Sequence, residues 1–332
     1  MTRYEVKDWD AAVDALRNAG EITIACHVNP DGDALGSLFG ASLGLRKLNK
    51  KTFPTWGATP PEVPPGYEFL PGVDTLVHPE HLPDAAVFLA LDCGAVDRLG
   101  EHLVDDAERA AVTINIDHHP GNDEFGTLNI VVPTASSTAE LVFRLLQDLE
   151  VPIDRDIATN LYTGVFTDTG SFQYANSTPD TLRLAADLLE YGVQKTEIAQ
   201  NVFETAPYGY LRLLARVLSN AHLIAEERFI YSRIMHSDLR EADVGMEETD
   251  KVIDVLRSTR DADVAAIFKE QGDGKFRASL RSKGTVSVGE IARARGGGGH
   301  ELAAGFTTDD VDVTVREITE GLKAGKWTAS SR

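Results

Sequence analysis

With 332 residues and 42% hydrophobic side chains, the chain is long enough for two domains with real cores, and disorder is not expected beyond its ends. Its 32 Lys+Arg against 52 Asp+Glu give a net charge of −20, which opposes gripping a long polyanion and favours small or short anionic substrates. Cys26 and Cys93 each end an apolar, strand-like run, so reduced and buried thiols in a cytoplasmic protein are expected, and no apolar run resembles a secretion signal or a membrane span.

Trp9 to Ala19 carries apolar residues at helical spacing and stops at Gly20, which predicts a helix leading into a first strand, Ile22 to Cys26. That strand ends at His27-Val-Asn-Pro-Asp31-Gly-Asp33, a tight turn followed by a helix over Leu35 to Leu48. A strand–loop–helix crossing places its loop at the carboxyl end of a parallel strand, where open α/β sheets build ligand sites. The recurrent prolines of 53–83 suit a connecting region with short extended pieces. The apolar run Ala85 to Leu91 ends at Asp92-Cys-Gly, and Ala110 to Ile116 ends at Asp117-His118-His119-Pro, so three predicted strands terminate in metal-ligand chemistry. Ser137 is a candidate N-cap for a helix to Leu149, a further helix over 156–166 delivers the loop residue Asp168, and Thr178-Pro179 opens another that runs to Tyr191.

From Lys195 to Asn220 the pattern is helical without a strand, which marks a domain connection. Beyond it, 221–225 with 229–235 and 263–269 with 276–281 predict two hairpins, and helices are expected over 248–258, 288–295 and 313–323. Residues 326–332 read as a solvated tail. The expected fold is a doubly wound, mainly parallel α/β domain followed by a smaller α+β domain.

His27, Asp31, Asp33, Asp92, Asp117, His118, His119 and Asp168 supply enough carboxylates and imidazoles for two divalent ions, with Asp92 placed mid-sheet to bridge them. A bridged pair of ions can lower the pKa of a water and clamp a phosphoryl oxygen, so the implied reaction is phosphoester hydrolysis. Nitrogen and oxygen donors without thiolate favour Mn²⁺ over a structural Zn²⁺. Taken singly, each of these residues has an ordinary alternative as a turn former, a structural ligand or a hydrogen-bonding strand end. Gly296 to Gly299 followed by His300 is either a flexible link or a nest of amides for an anion, and its apolar flanks favour a packed loop. Arg277, Arg281, Lys283, Arg293 and Arg295 form a local positive cluster suited to a substrate's non-scissile phosphates.

The ordered set His27-x-Asn-Pro-Asp31-Gly-Asp33, Asp92-Cys-Gly, Asp117-His118-His119, Thr167-Asp168-Thr-Gly, Ser-Leu-Arg281-Ser and Gly-Gly-Gly-Gly-His300 resembles the DHH phosphoesterase family with its DHH-associated C-terminal domain. The resemblance covers nearly the whole chain. It implies a metal-binding catalytic domain over 1–194, a helical linker over 195–220 that acts as a hinge, a substrate domain over 221–325, and catalysis in a cleft between the domains. It also implies two Mn²⁺ per chain, replaceable by Mg²⁺ or Co²⁺, one on His27, Asp31 and Asp92 and the other on Asp33, Asp92, His118 and Asp168. His119 would assist at the scissile phosphate, Asp117 would orient an imidazole from behind, and Arg281, Gly297, Gly298, Gly299 and His300 would hold the substrate. Members of this layout act as nano-RNases, as phosphatases of 3′-phosphoadenosine 5′-phosphate (pAp) and as cyclic-di-AMP phosphodiesterases. The expected partners are therefore such short nucleotides, pApA among them, with no long nucleic acid, no membrane and assembly as a homodimer. A single-strand exonuclease of the same superfamily would call for aromatic platforms along a basic groove, and a nucleotide sensor without turnover would not need intact metal motifs.

Overall fold

The computed structural model describes residues 6–328. The chain divides between Thr205 and Ala206 into two compact units. The first runs α1 (Trp9–Asn18), β1 (Glu21–Cys26), α2 (Gly32–Lys47), β2 (Lys51–Trp56), β3 (Val87–Leu91), α3 (Glu101–Arg109), β4 (Val112–Asp117), β5 (Leu128–Val131), α4 (Thr138–Asp148), α5 (Arg155–Asp168), α6 (Pro179–Glu190) and α7 (Lys195–Phe203). Among the described residues its strands form one parallel sheet in the order β2-β1-β3-β4-β5.

Alternation along the strands builds the layers. Ile22 and Ile24 of β1, Leu89 and Leu91 of β3, and Ile114 and Ile116 of β4 enter one core with α1, α2, α4 and α5. Ala25, Phe88 and Ala90 point the other way, into a second core with Leu103 and Ala107 of α3. Burial on both faces explains why these strands read as continuous apolar runs. The strand order reverses between β1 and β3, so their carboxyl ends border the crevice in which sheets of this topology bind ligands.

Two strands and a helix of this unit differ from the sequence expectation. Residues 51–56, of which 53–56 fall in the region expected to be a proline-rich connection with short extended pieces, form the edge strand β2 against β1; a proline is tolerated there because an edge strand has no neighbour on one side. β5 is four residues long at the opposite edge, and α3 is charged on all but the face carrying Leu103 and Ala107. Asp168, expected in a loop, is instead the last residue of α5.

α2 and α5 approach closely enough that no side chain fits between them. A methyl group on Gly36 would stand 2.9 Å from the Gly164 amide nitrogen, and one on Gly164 would stand 2.8 Å from Asp33 Oδ1. The amino end of α2, with Asp33, is thereby set against the carboxyl end of α5, with Asp168.

The second unit contains α8 (Tyr208–Ser219), β6 (His222–Ile224), β7 (Phe229–Ile234), α9 (His236–Ala242), α10 (Val252–Arg257), β8 (Val264–Glu270), β9 (Phe276–Ser282), α11 (Val288–Arg293), β10 (Gly298–Gly299), β11 (Ala303–Thr308) and α12 (Val311–Lys323). Its mixed sheet has the order β10-β11-β9-β8-β7-β6, with β7 and β8 parallel and the other pairs antiparallel. Both predicted hairpins are present, as β6–β7 and β8–β9. Val264, Ala266 and Phe268 of β8 face a core shared with α11 and α12, while Ala265 and Ile267 face one shared with α8, α9 and α10. Of the helical stretch 195–220, α7 buries Ile198 and Val202 in the first unit, and α8 buries Tyr210, Leu213 and Val217 in the second.

The tail is not solvated throughout. Trp327 is buried against Gly321 with the Arg295 guanidinium 5.6 Å from its ring centroid, and residues 329–332 lie outside the described residues.

Candidate metal centre

Each acidic side chain of the first unit's strand-end motifs is anchored by the scaffold. Asp31 is the N-cap of α2, its Oδ1 accepting the amides of Asp33 and Ala34 at 3.0 Å each. Asp33 is clasped by the first amides of α4, from Thr138 to Oδ2 at 2.7 Å and from Ala139 to Oδ1 at 2.9 Å. Asp92 follows β3 in a left-handed conformation, φ 56°, and its Oδ1 accepts the Thr138 hydroxyl at 2.9 Å. His27 Nδ1 lies 2.9 Å from the Val28 carbonyl oxygen; donation from Nδ1 to that oxygen leaves Nε2 free to act as a ligand atom.

These anchored groups converge without bonding one another. His27 Nε2 stands 3.6 Å from Asp92 Oδ2 and 4.0 Å from Asp31 Oδ2. His118 Nε2 stands 3.8 Å from Asp33 Oδ2, 3.7 Å from Asp92 Oδ1 and 3.7 Å from Asp168 Oδ2. Such separations are too long for hydrogen bonds. They match the spacing of atoms that share a cation at roughly 2.0–2.2 Å. His27, Asp31 and Asp92 thus form one group able to hold a metal ion, and Asp33, His118 and Asp168 another, with the ligand atoms of each within 4.8 Å of one another. Asp92 offers Oδ2 to the first group and Oδ1 to the second.

The two adjacent histidines have different environments. His119 Nδ1 donates to Asp117 Oδ1 at 2.7 Å, so that nitrogen is committed to a carboxylate, whereas His118 Nε2 faces the acidic cluster. Asp117 is fully buried and also accepts the His118 amide at 2.9 Å and the Asn122 side-chain amide at 2.6 Å.

Electrostatics describe a site that favours a cation. Burial, then the charges of Asp92, Asp168 and Asp31, push the Asp33 carboxyl well above its ordinary range. Burial raises Asp168 to about 6; His118 opposes this, while Asp92 and Asp31 add to it. Burial would raise Asp92 too, but the His27 imidazole beside it and the charges of His119 and His118 outweigh it and hold the group at about 2. Burial would lower His119, yet Asp117 and Asp92 bring it up to about 9. Among the described residues, the ion-pair partners of the converging carboxylates are imidazoles, with no Lys or Arg to neutralise them. The donor set therefore fits divalent ions: nitrogen and oxygen atoms, no thiolate, and a surplus of buried negative charge.

Several residues that complete the centre were not singled out in the sequence. Thr138 holds Asp92, Asn122 holds Asp117, and Asn176 donates to Asp168 Oδ2 at 3.3 Å and to the Ser136 carbonyl at 2.9 Å. Asn122 lies within the Asp117-His-His-Pro-Gly-Asn stretch and could have been suspected; Thr138 and Asn176 reach the site only through tertiary packing.

In the second unit the glycine run has a packing role. Gly298 and Gly299 form β10 against β11, and a methyl on Gly297 would overlap the Gly305 carbonyl oxygen. Gly299 adopts φ 131°, a conformation that side chains rarely take. Gly298 and His300 are exposed. Arg281, next to last in β9, has Nε 4.0 Å from Asp254 Oδ1. Arg295 does not join an open positive cluster: its guanidinium packs over the rings of Phe306 and Trp327, 5.6 Å from each centroid.

The fold and the donor set define the class, a doubly wound α/β domain with a strand-end site suited to divalent metal ions. Residues 21–165 match the DHH family N-terminal domain and residues 226–325 match the DHHA1 domain. The chain is 37% identical to the "Bifunctional oligoribonuclease and PAP phosphatase NrnA" of Thermus thermophilus over 92% of its own length and 90% of that protein. It is 30% identical to the "Cyclic-di-AMP phosphodiesterase GdpP" of Geobacillus thermodenitrificans, over 65% of this chain and 32% of that protein. A crystal structure of an exopolyphosphatase-related protein from Bacteroides fragilis superposes with a TM-score of 0.90 at 27% identity, covering 98% of both chains. The chain belongs to the DHH family, with a DHHA1 domain following its N-terminal domain.

Proposed function

We propose that this chain is a Mn²⁺-dependent phosphoesterase that removes a phosphate from pAp and cleaves very short nucleotides such as pApA, nano-RNA and cyclic-di-AMP. The observation that carries this reading is Asp92, whose two carboxylate oxygens each face a separate group of metal-ligand atoms. His27, Asp31 and Asp92 would hold one ion, and Asp33, Asp92, His118 and Asp168 the other. Divalent ions bound there supply Lewis-acid charge at the phosphoryl oxygens and lower the pKa of water.

The chain's own groups do the remaining work. Asp117 fixes the His119 ring through Nδ1, so Nε2 is the atom that hydrogen-bonds the scissile phosphate or hands a proton to the leaving oxygen. Thr138 and the α4 amides keep Asp92 and Asp33 in place during turnover. For Arg281 and the Gly297–Gly299 amides with His300 we propose binding of the substrate's other phosphates, by a guanidinium fork and by backbone donors. The relative's printed activities and the −20 net charge both favour short substrates over long strands. No helix among the described residues is long and apolar enough to cross a membrane; a cytoplasmic location and a homodimer complete the reading, the latter checked by light scattering.

The test is a kinetic panel of pAp, pApA, cyclic-di-AMP and RNAs of two to five nucleotides, in Mn²⁺ and then Mg²⁺. Hydrolysis of at least one, abolished by chelation and restored by Mn²⁺, is expected. No turnover of any of them in Mn²⁺ would end the proposal.

A further inference from the structure

The chain that follows Asp92 places a cation beside the candidate metal centre. After β3 it makes a single 3-10 turn, Val96–Leu99, whose position is fixed from two sides. The Val28 amide donates to the Arg98 carbonyl at 2.8 Å, which joins the turn to the loop between β1 and α2. Gly57, just past β2, lies so close on the other side that a methyl on it would overlap the Leu99 carbonyl oxygen. Gly100 closes the turn at φ 87°, and a methyl there would stand 2.8 Å from Val28 Cγ1. The backbone of Arg98 is thus held where the carboxyl ends of β1, β2 and β3 meet, while its side chain is exposed.

The guanidinium lies against a proposed metal ligand. Its Nη2 is 3.3 Å from His27 Nδ1, on the other edge of the imidazole from Nε2, which is the atom that faces Asp31 and Asp92. With the Nδ1 proton given to the Val28 carbonyl, that nitrogen has no lone pair to offer, so the contact commits none of the five guanidinium donors. Among the described residues Arg98 takes part in no ion pair. An unpaired guanidinium one imidazole away from a cation site repels the ions bound there, and an anion held by both removes that repulsion.

We infer that Arg98 binds a second phosphate of the substrate, next to the one that enters the metal centre. This inference rests on the phosphoesterase reading and adds to it a preference for substrates with two phosphates. Placement decides which phosphate is taken: the guanidinium stands at the Nδ1 edge of His27, and the ligand atoms converge at the Nε2 edge, so the ring separates the arginine from the reacting group. The planar fork suits the purpose because two parallel N–H groups match two phosphate oxygens. A substrate with two phosphates then places one charge on the ions and one on the arginine. The contact belongs to the first unit alone and is additional to those proposed for Arg281 and the glycine run.

The experiment compares Mn²⁺-loaded full-length protein with Arg98→Ala and Arg98→Lys, reading KM for pAp, which has two phosphates, and the inhibition constant of adenosine 5′-monophosphate, which has one. Loss of the guanidinium is expected to raise KM for pAp about 5- to 50-fold and to leave inhibition by the monophosphate within about twofold. Arg98→Lys keeps the charge without the fork and is expected to recover part of the loss. Mn²⁺ affinity, measured by calorimetry, stays unchanged in both variants; a residue that only positions His27 would weaken it. An unchanged KM for pAp in Arg98→Ala, equal loss for the two ligands, or weakened Mn²⁺ binding would overturn the assignment and leave the phosphoesterase reading standing. Absence of turnover of pAp and of the short nucleotides by the unaltered enzyme would overturn both.

Discussion

Replacing Gly164 with alanine separates the positioning of the metal centre from the stability of the fold. The added methyl would stand 2.6 Å from Ala139 Cβ and 2.8 Å from Asp33 Oδ1, where ordinary contact begins at 3.4 Å. Relief at Asp33 requires the carboxylate oxygen to give by about 0.6 Å, which stretches its 2.9 Å bond from the Ala139 amide to the limit of hydrogen bonding. Two opposing terms act on stability. Alanine in a helix interior gains about 1 kcal/mol over glycine, while overpacking a buried contact costs about 1–3 kcal/mol. The net loss is then about 0–2 kcal/mol, a fall in Tm of at most roughly 8 °C for a unit of this size. Metal binding has no compensating gain, and displacement of a residue that orients a ligand typically costs about 10- to 100-fold in affinity. Calorimetric titration of metal-depleted protein with Mn²⁺, beside a thermal melt without metal, reads both quantities. Gly20→Ala is the control, because its methyl would meet nothing within 4 Å. Mn²⁺ affinity in Gly164→Ala within about twofold of the unaltered protein would refute the claim that the α2–α5 approach sets the centre.

Three further outcomes are expected. Asp92→Asn keeps a residue that tolerates the left-handed backbone and an oxygen for Thr138, so the circular dichroism spectrum should be retained while hydrolysis falls by at least about 10³-fold; near-normal turnover in Mn²⁺ would remove the bridging role. Chelation should lower Tm, since an ion at 100 times its Kd stabilises by about 2.7 kcal/mol and two ions by about twice that, or roughly 10–20 °C; a Tm indifferent to EDTA and to Mn²⁺ would count against both ion sites. His300→Ala should raise KM for pAp with kcat largely kept, and a pure kcat effect would exclude His300 from substrate binding.

The sequence exposed the parts of this molecule whose chemistry is local. His27, Asp92 and His118 stand just past the ends of apolar strands and Asp31 in the turn that follows one, and both can be read from hydrophobic runs and turn residues alone. What escaped depended on packing across the fold. β2 was masked by Pro54 because a proline signals a break unless the strand is known to lie at an edge. The glycines of 296–299 signal flexibility or an anion nest, and only the register of β10 on β11 shows that two of them are required by close backbone approach. Arg295 counted towards the positive cluster because its packing against the rings of Phe306 and Trp327 is a tertiary feature. Gly164 had no local signal at all, since its partner Asp33 lies on another helix.

A chain of strongly negative charge that gathers buried carboxylates must offset their repulsion before any cation arrives. Helix amino termini do part of this: the α2 amides take Asp31, and the α4 amides take Asp33. Side-chain donors do the rest, with Thr138 on Asp92 and Asn122 on Asp117. At Asp31, Asp33 and Asp92 the donors engage the carboxylate while an oxygen still faces an imidazole 3.6–4.0 Å away, as Asp31 Oδ2 and Asp92 Oδ2 face His27 and Asp33 Oδ2 faces His118. The proposed ligands are therefore oriented by the fold itself, and a cation entering the candidate centre would meet atoms already aimed at it. That arrangement requires the switch point between β1 and β3 as well as the amino end of α4, which is why the motifs are scattered along the first unit and not confined to one loop.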